Sequence, residues 1–273
     1  MEVRLAKKYG FCFGVKRAIK IAEESRHATT YGPLIHNGRE IERLQRDYDV
    51  SLSENLEQAE GAKRVIVRTH GITKGDLARL KERGIEIVDA TCPFVTKPQN
   101  IVEKMSNEGY QILIFGDRDH PEVKGVASYG RESIIISQAS ELEGVKLKKK
   151  IALISQTTKQ PEQFAAIAAY LTPRVNECRV FNTICNATFE NQGAALELSK
   201  EVDVLIVVGG KNSSNTKQLL KIAKEQCADS YLIEDESELD MSWFRGKRLC
   251  GITAGASTPD WIIENVVEKI RKI

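Results

Sequence analysis

The 273-residue sequence has no apolar run near the ~18 residues needed to span a membrane. Residues 1–25 are basic but lack the continuous apolar segment of a secretory signal, so a cytoplasmic protein with no membrane partner is expected. Charge is almost balanced: 40 Lys and Arg against 38 Asp and Glu leave +2, which gives no reason to expect nucleic acid as a partner. The densest basic run, Lys146–Lys150, is interrupted by Leu147 and reads as a solvated loop before a strand. None of the six cysteines lies in a Cys-x-x-Cys pair, which removes zinc ribbons and thioredoxin-type motifs. In a reducing compartment six cysteines argue against a disulfide framework and for metal or redox chemistry. No P-loop is present, and no Gly-x-Gly-x-x-Gly fingerprint follows a strand.

What is present is a regular alternation. Strand-length apolar runs such as Val65–Val67, Ile112–Phe115, Ile151–Ile154 and Val204–Val208 alternate with amphipathic stretches at 73–83, 95–108, 160–171, 187–200, 214–227 and 258–271. Near-continuous apolar strands between helices predict an α/β protein with parallel sheets covered on both faces. Ligands bind such sheets at the carboxyl ends of the strands. The segments that follow the strands carry small, hydroxylic, amide and imidazole side chains, including three of the four histidines: His36, His70 and His120. Helix capping explains any one of these loops, but not the gathering of the histidines.

Three of the cysteines share a context. Cys12, flanked by Gly10 and Gly14, lies between a short alternating segment and a helix running to about Ser25; Cys92 and Cys185 likewise follow an extended approach and precede a helix. A thiol at a helix N-terminus has its thiolate favoured by the exposed N–H groups. Cys178, Cys227 and Cys250 read instead as small core residues. Three thiolates, one from each of three weakly related units, suit either zinc with an open fourth position or an iron–sulfur cluster with one open iron.

Two loops, Gly209-Gly210-Lys211-Asn212-Ser213-Ser214-Asn215 and Gly255-Ala256-Ser257-Thr258-Pro259, pair a strand end with a helix start and suit an anion. In the second, Ser257 or Thr258 is expected as the N-cap, with Pro259 in the first turn. His120-Pro121-Glu122 places an imidazole and an acid together at a strand end. A glutamate there delivers protons near neutrality if it is buried, with Thr157 as relay, and merely complements a helix dipole if it is exposed.

These segments, together with Thr69-His70-Gly71, Asp89-Ala90-Thr91-Cys92-Pro93, Gln156-Thr157-Thr158 and Ile184-Cys185, run in order along almost the whole chain and resemble the 4-hydroxy-3-methylbut-2-enyl diphosphate reductase family. The resemblance implies three α/β units arranged as a trefoil around a central [4Fe–4S] cluster held by Cys12, Cys92 and Cys185. The expected divisions fall at 1–92, 93–185 and 186–273. It implies a substrate diphosphate among His36, His70, Ser213, Asn215 and Ser257, with Ser214 and His120 close by and Thr188 lining the pocket. Glu122 and Thr157 would deliver protons in a two-electron, two-proton loss of the substrate hydroxyl, giving isopentenyl and dimethylallyl diphosphates. The implied electron donor is a ferredoxin or flavodoxin, and a monomer is expected. Asp119, Pro98-Gln99 and Asn191 depart from the family pattern. The rival readings on the same residues are a zinc hydrolase of a phosphorylated molecule and an iron–sulfur sensor without turnover.

Overall fold

The computed structural model describes every residue, Met1–Ile273. The chain forms twelve strands in three four-stranded sheets, all of them parallel. By compactness it divides into two units. The first comprises Met1–Lys16, Ile35–Arg43 and Asn186–Ile273; the second comprises Arg17–Leu34 and Leu44–Cys185.

The first unit holds one sheet, in the order β1 (Glu2–Leu5), β12 (Leu249–Ala254), β10 (Val204–Val208) and β11 (Ser230–Ile233). Alternate residues of β10 enter different cores. Val204, Ile206 and Val208 pack with Ile252 and with Ile262, Ile263 and Val266 of α10 (Asp260–Arg271). Leu205 and Val207 pack with Ala195 and Leu198 of α8 (Asn186–Ser199) and Leu219 of α9 (Ser214–Gln226). A strand covered on both faces has no place for polar side chains, which is why β10 reads as an unbroken apolar run.

The second unit holds two sheets. One runs β3 (Ser51–Ser53), β2 (Thr29–Tyr31), β4 (Arg64–Val67), β5 (Glu86–Asp89). The other runs β7 (Ser133–Ile136), β6 (Gln111–Phe115), β8 (Lys150–Ser155), β9 (Glu177–Phe181). Ile112 and Ile114 of β6 face a core with Val102 and Met105 of α5 (Pro93–Asn107), and Leu113 and Phe115 face another with Phe164 and Ile167 of α7 (Pro161–Leu171).

The six expected helices are present within two residues at each end, and α1 (Phe13–Glu24) follows Cys12 as expected. Three helices were not read from the sequence: α2 (Gly38–Tyr48), α3 (Leu56–Glu60) and α6 (Pro121–Ala127). β12 runs on to Ala254, because Cys250–Ala254 is buried and pairs with β10. β1 lies beside β12, a pairing across almost the whole chain, and its residues belong with the unit that contains the last segment. β1 takes its place by pairing with a distant strand and by packing Val3 and Leu5 against that unit's core, and four residues of alternating exposure carry no sign of which strand that is.

Candidate active site

Each cysteine singled out in the sequence follows the edge strand of its own sheet: Cys12 after β1, Cys92 after β5 and Cys185 after β9. Each is fixed by one backbone bond to the loop after the neighbouring strand. The N–H of Cys12 donates to Ala256 O at 3.1 Å, that of Cys92 to Thr69 O at 3.0 Å, and that of Cys185 to Thr157 O at 2.9 Å. The acceptors adjoin Ser257 and His70 and, in the third case, are Thr157 itself. The three sheets thus repeat one arrangement, a thiol beside a polar strand end.

None of the six cysteines is disulfide-bonded, and Cys12, Cys92 and Cys185 are all partly exposed. Cys227 and Cys250 are buried as expected of core residues, whereas Cys178 is only partly buried and packs at the edge of a core. Burial pushes the Cys250 thiol up to about 12 and raises that of Cys178, so neither gives up its proton readily.

In the second unit, His70 follows β4 and His120 follows β6, so they come from different sheets, yet their rings meet edge-on with centroids 5.4 Å apart. His120 is the N-cap of α6, and its Nδ1 accepts the Glu122 N–H at 3.2 Å. A neutral ring accepting at Nδ1 carries its proton on Nε2, which makes it a donor.

Glu122 is 2% exposed, which rules out the solvent-facing alternative. Thr157 holds it from the next strand: the backbone N–H donates to Oε1 at 2.7 Å and Oγ–H donates to Oε2 at 2.7 Å. Burial raises the Glu122 carboxyl to about 6; the two Thr157 bonds oppose the rise, and the Asp117 charge adds to it. Gly116 permits this closeness, since a Cβ there would lie 2.7 Å from Val123 Cγ2 and 3.1 Å from Gln156 Oε1.

In the first unit, Ser213 caps α9, with Oγ accepting the Thr216 N–H at 3.3 Å. Asn215, two residues on, is 5% exposed, and neither its Nδ2 nor its Oδ1 has a hydrogen-bond partner. A desolvated amide left unmatched costs about 1–3 kcal/mol, so its presence in the first turn of α9 points to a ligand that completes it. Gly210 lies against the backbone of His36: a Cβ there would be 2.3 Å from His36 O. Ser257 Oγ–H donates to the same carbonyl at 3.2 Å. Neither Ser257 nor Thr258 is the cap of α10, which starts after Pro259; the Thr258 hydroxyl donates to Val208 O at 3.0 Å instead. Thr188 is buried in the first turn of α8, and Ser214 opens α9 half-buried.

Sequence reasoning missed Glu40. It is 1% exposed, paired with Arg43 at 2.6 Å, and receives the Trp261 Nε1–H at 3.1 Å, while the Asn37 side chain accepts the Glu40 N–H at 3.0 Å. These contacts anchor the segment that carries His36, and no local pattern announces them. Of the departures, Asp119 is exposed and pairs with Lys124, whereas Gln99 is buried against Gly71 beside His70 and Asn191 is buried in α8.

The model of the LytB protein family matches residues 3–271. The chain belongs to the LytB family. It is 72% identical over its full length, and the relative's, to the 4-hydroxy-3-methylbut-2-enyl diphosphate reductase of Helicobacter hepaticus. It is 62% identical to that of Nitratiruptor, covering 100% of this chain and 99% of the relative. A solved structure of (E)-4-hydroxy-3-methyl-but-2-enyl diphosphate reductase, described as the terminal enzyme of the non-mevalonate pathway, matches with a TM-score of 0.72 and 38% identity. That match covers 100% of this chain and 99% of the other. The Plasmodium falciparum reductase structure matches with a TM-score of 0.91 and 26% identity over 98% of this chain and 87% of that one.

Proposed function

We propose that this LytB protein reduces 4-hydroxy-3-methylbut-2-enyl diphosphate, removing its hydroxyl with two electrons and two protons to give isopentenyl and dimethylallyl diphosphates. The observation that carries the reading is the buried Glu122–Thr157 pair, a proton source tied through the Thr157 backbone to Cys185.

Cys12, Cys92 and Cys185 would hold a [4Fe–4S] cluster. The donor set fits: three thiols outside any disulfide, each partly exposed and each at a helix start. When bound, such a cluster supplies electrons and, at an iron without a cysteine ligand, Lewis acidity.

The chain's own residues supply the rest. Near pH 6 about half of the Glu122 population is protonated. Protonation at Oε2 reverses the bond to Thr157: the acid donates to Oγ, and the threonine proton turns towards the substrate hydroxyl. Hydroxide leaves poorly unless it receives a proton, so this relay acts where charge develops. The diphosphate would be held by the Asn215 amide, the Ser213 and Ser214 hydroxyls at the start of α9, and the imidazoles of His36, His70 and His120. Ser257 joins once its hydroxyl leaves His36 O. Thr188 would line the pocket.

Glu122→Gln tests the proposal: turnover should vanish while iron and acid-labile sulfide stay at wild-type levels. Near-normal rates in that variant would remove Glu122 from the chemistry. A zinc hydrolase would show zinc in place of iron, and a sensor would bind the diphosphate without turnover; a sensor has no need of a buried acid coupled to a threonine.

A further inference from the structure

The reaction proposed above consumes two electrons, and a cluster of this kind passes them one at a time, so another carrier must dock near a cysteine to refill it. We propose that the docking surface is the groove between α1 and the exposed stripe of α5, and that its occupant is a small acidic ferredoxin-type protein. This inference rests on the reductase reading.

The groove is lined by both neighbours of Cys92, Thr91 and Pro93, and by Arg17, Lys97, Asn100 and Lys104. Pro93, Lys97, Asn100 and Lys104 fall at i, i+4, i+7 and i+11, the spacing of one helix face, and all four are exposed. Phe94, the residue after Pro93, is turned about 100° from that stripe and is 42% exposed. Arg17 closes the other wall, donating to the carbonyls of Asp89 at 3.3 Å and Thr91 at 3.2 Å, the residues just before Cys92.

The charges are unspent. Glu103, on the same helix, is paired with Lys74 at 2.6 Å, but Lys97 and Lys104 make no ion pair. Three cations therefore face the groove against one carboxylate, that of Asp89, which already accepts the Thr91 N–H at 2.8 Å. A small surface with unpaired charge of one sign is what a transient electron-transfer encounter with an oppositely charged partner uses, in which steering matters more than buried area. Position adds to charge: the strip begins one residue from a thiol proposed to hold the cluster.

The test compares wild type with the Lys97→Glu/Lys104→Glu double variant, as full-length holoprotein. Binding is measured by titrating in an oxidised acidic [2Fe–2S] ferredoxin, and turnover is driven either by that ferredoxin or by reduced methyl viologen. The expected result is a loss of at least tenfold in ferredoxin affinity and a rise of at least tenfold in its apparent KM, both flattened by salt, with viologen-driven turnover within twofold. Unchanged affinity and KM would overturn the proposal, as would wild type that fails to bind the ferredoxin at low salt. An equal fall with both donors at full iron content would also overturn it. A colourless wild type that is inactive with viologen would refute the cluster reading, and the groove would still be judged from the titration.

Discussion

Thr157 grips both oxygens of Glu122, with its N–H on Oε1 and its hydroxyl on Oε2, each at 2.7 Å. The buried carboxyl is thereby kept in one orientation.

The pH dependence follows from this pair. Burial raises the Glu122 carboxyl from 4.5 to about 6, so the protonated, donating form declines above that pH and kcat/KM should fall with it. In Glu122→Gln any residual rate should lack that limb. A pH profile of kcat/KM for both proteins checks this.

The same shift costs stability. Below pH 4.5 the group is neutral folded and unfolded; between 4.5 and about 6 the folded state keeps the proton longer, so stability is lost as pH rises through the window. The shift amounts to about 2 kcal/mol. The stability difference between wild type and Glu122→Gln should therefore move by about 2 kcal/mol in the variant's favour between pH 4.5 and pH 7. Urea unfolding at the two pH values measures it.

Asn215→Ala should raise KM for the diphosphate at least tenfold while leaving stability unchanged or higher, because the amide makes no hydrogen bond within the protein that could be lost. Asn215→Asp should bind still more weakly, since it sets a carboxylate against the anion. Substrate titration and thermal unfolding separate the two effects. A large drop in stability for the alanine variant would show that the amide is structural.

The sequence displayed some of this and hid the rest, for physical reasons. Buried strands such as Val204–Val208 announce themselves because both faces are covered, and His70, His120 and Thr157 stand where apolar runs stop. The acid at residue 122 was visible, but not its burial, which depends on packing beneath α6 and β8. Glu40 was invisible: its partner Trp261 is 221 positions away. The expected first-turn cap at Ser257 or Thr258 failed for the same reason, since distant carbonyls, His36 O and Val208 O, compete for those hydroxyls.

Gly210→Ala should impair substrate binding through His36. The added methyl would sit 2.3 Å from His36 O, so the segment carrying that imidazole has to shift. Weaker diphosphate binding at unchanged iron content is the expected result, checked by titration with the substrate.

The cysteines divide by role. Cys12→Ser, Cys92→Ser and Cys185→Ser should each lose most of the bound iron, whereas Cys178→Ser and Cys250→Ala should keep it, with Cys250→Ala costing about 1 kcal/mol of stability for the small cavity left in the core. Iron and sulfide analysis after anaerobic purification reads the first effect, and thermal unfolding reads the second.

The most direct test of the central claim is the visible and Mössbauer spectrum of anaerobically purified protein, before and after adding 4-hydroxy-3-methylbut-2-enyl diphosphate. The account predicts a brown protein with four irons per chain, one of them spectroscopically distinct, whose signal changes when the diphosphate binds. A colourless protein holding stoichiometric zinc, still inactive after cluster reconstitution, would contradict it.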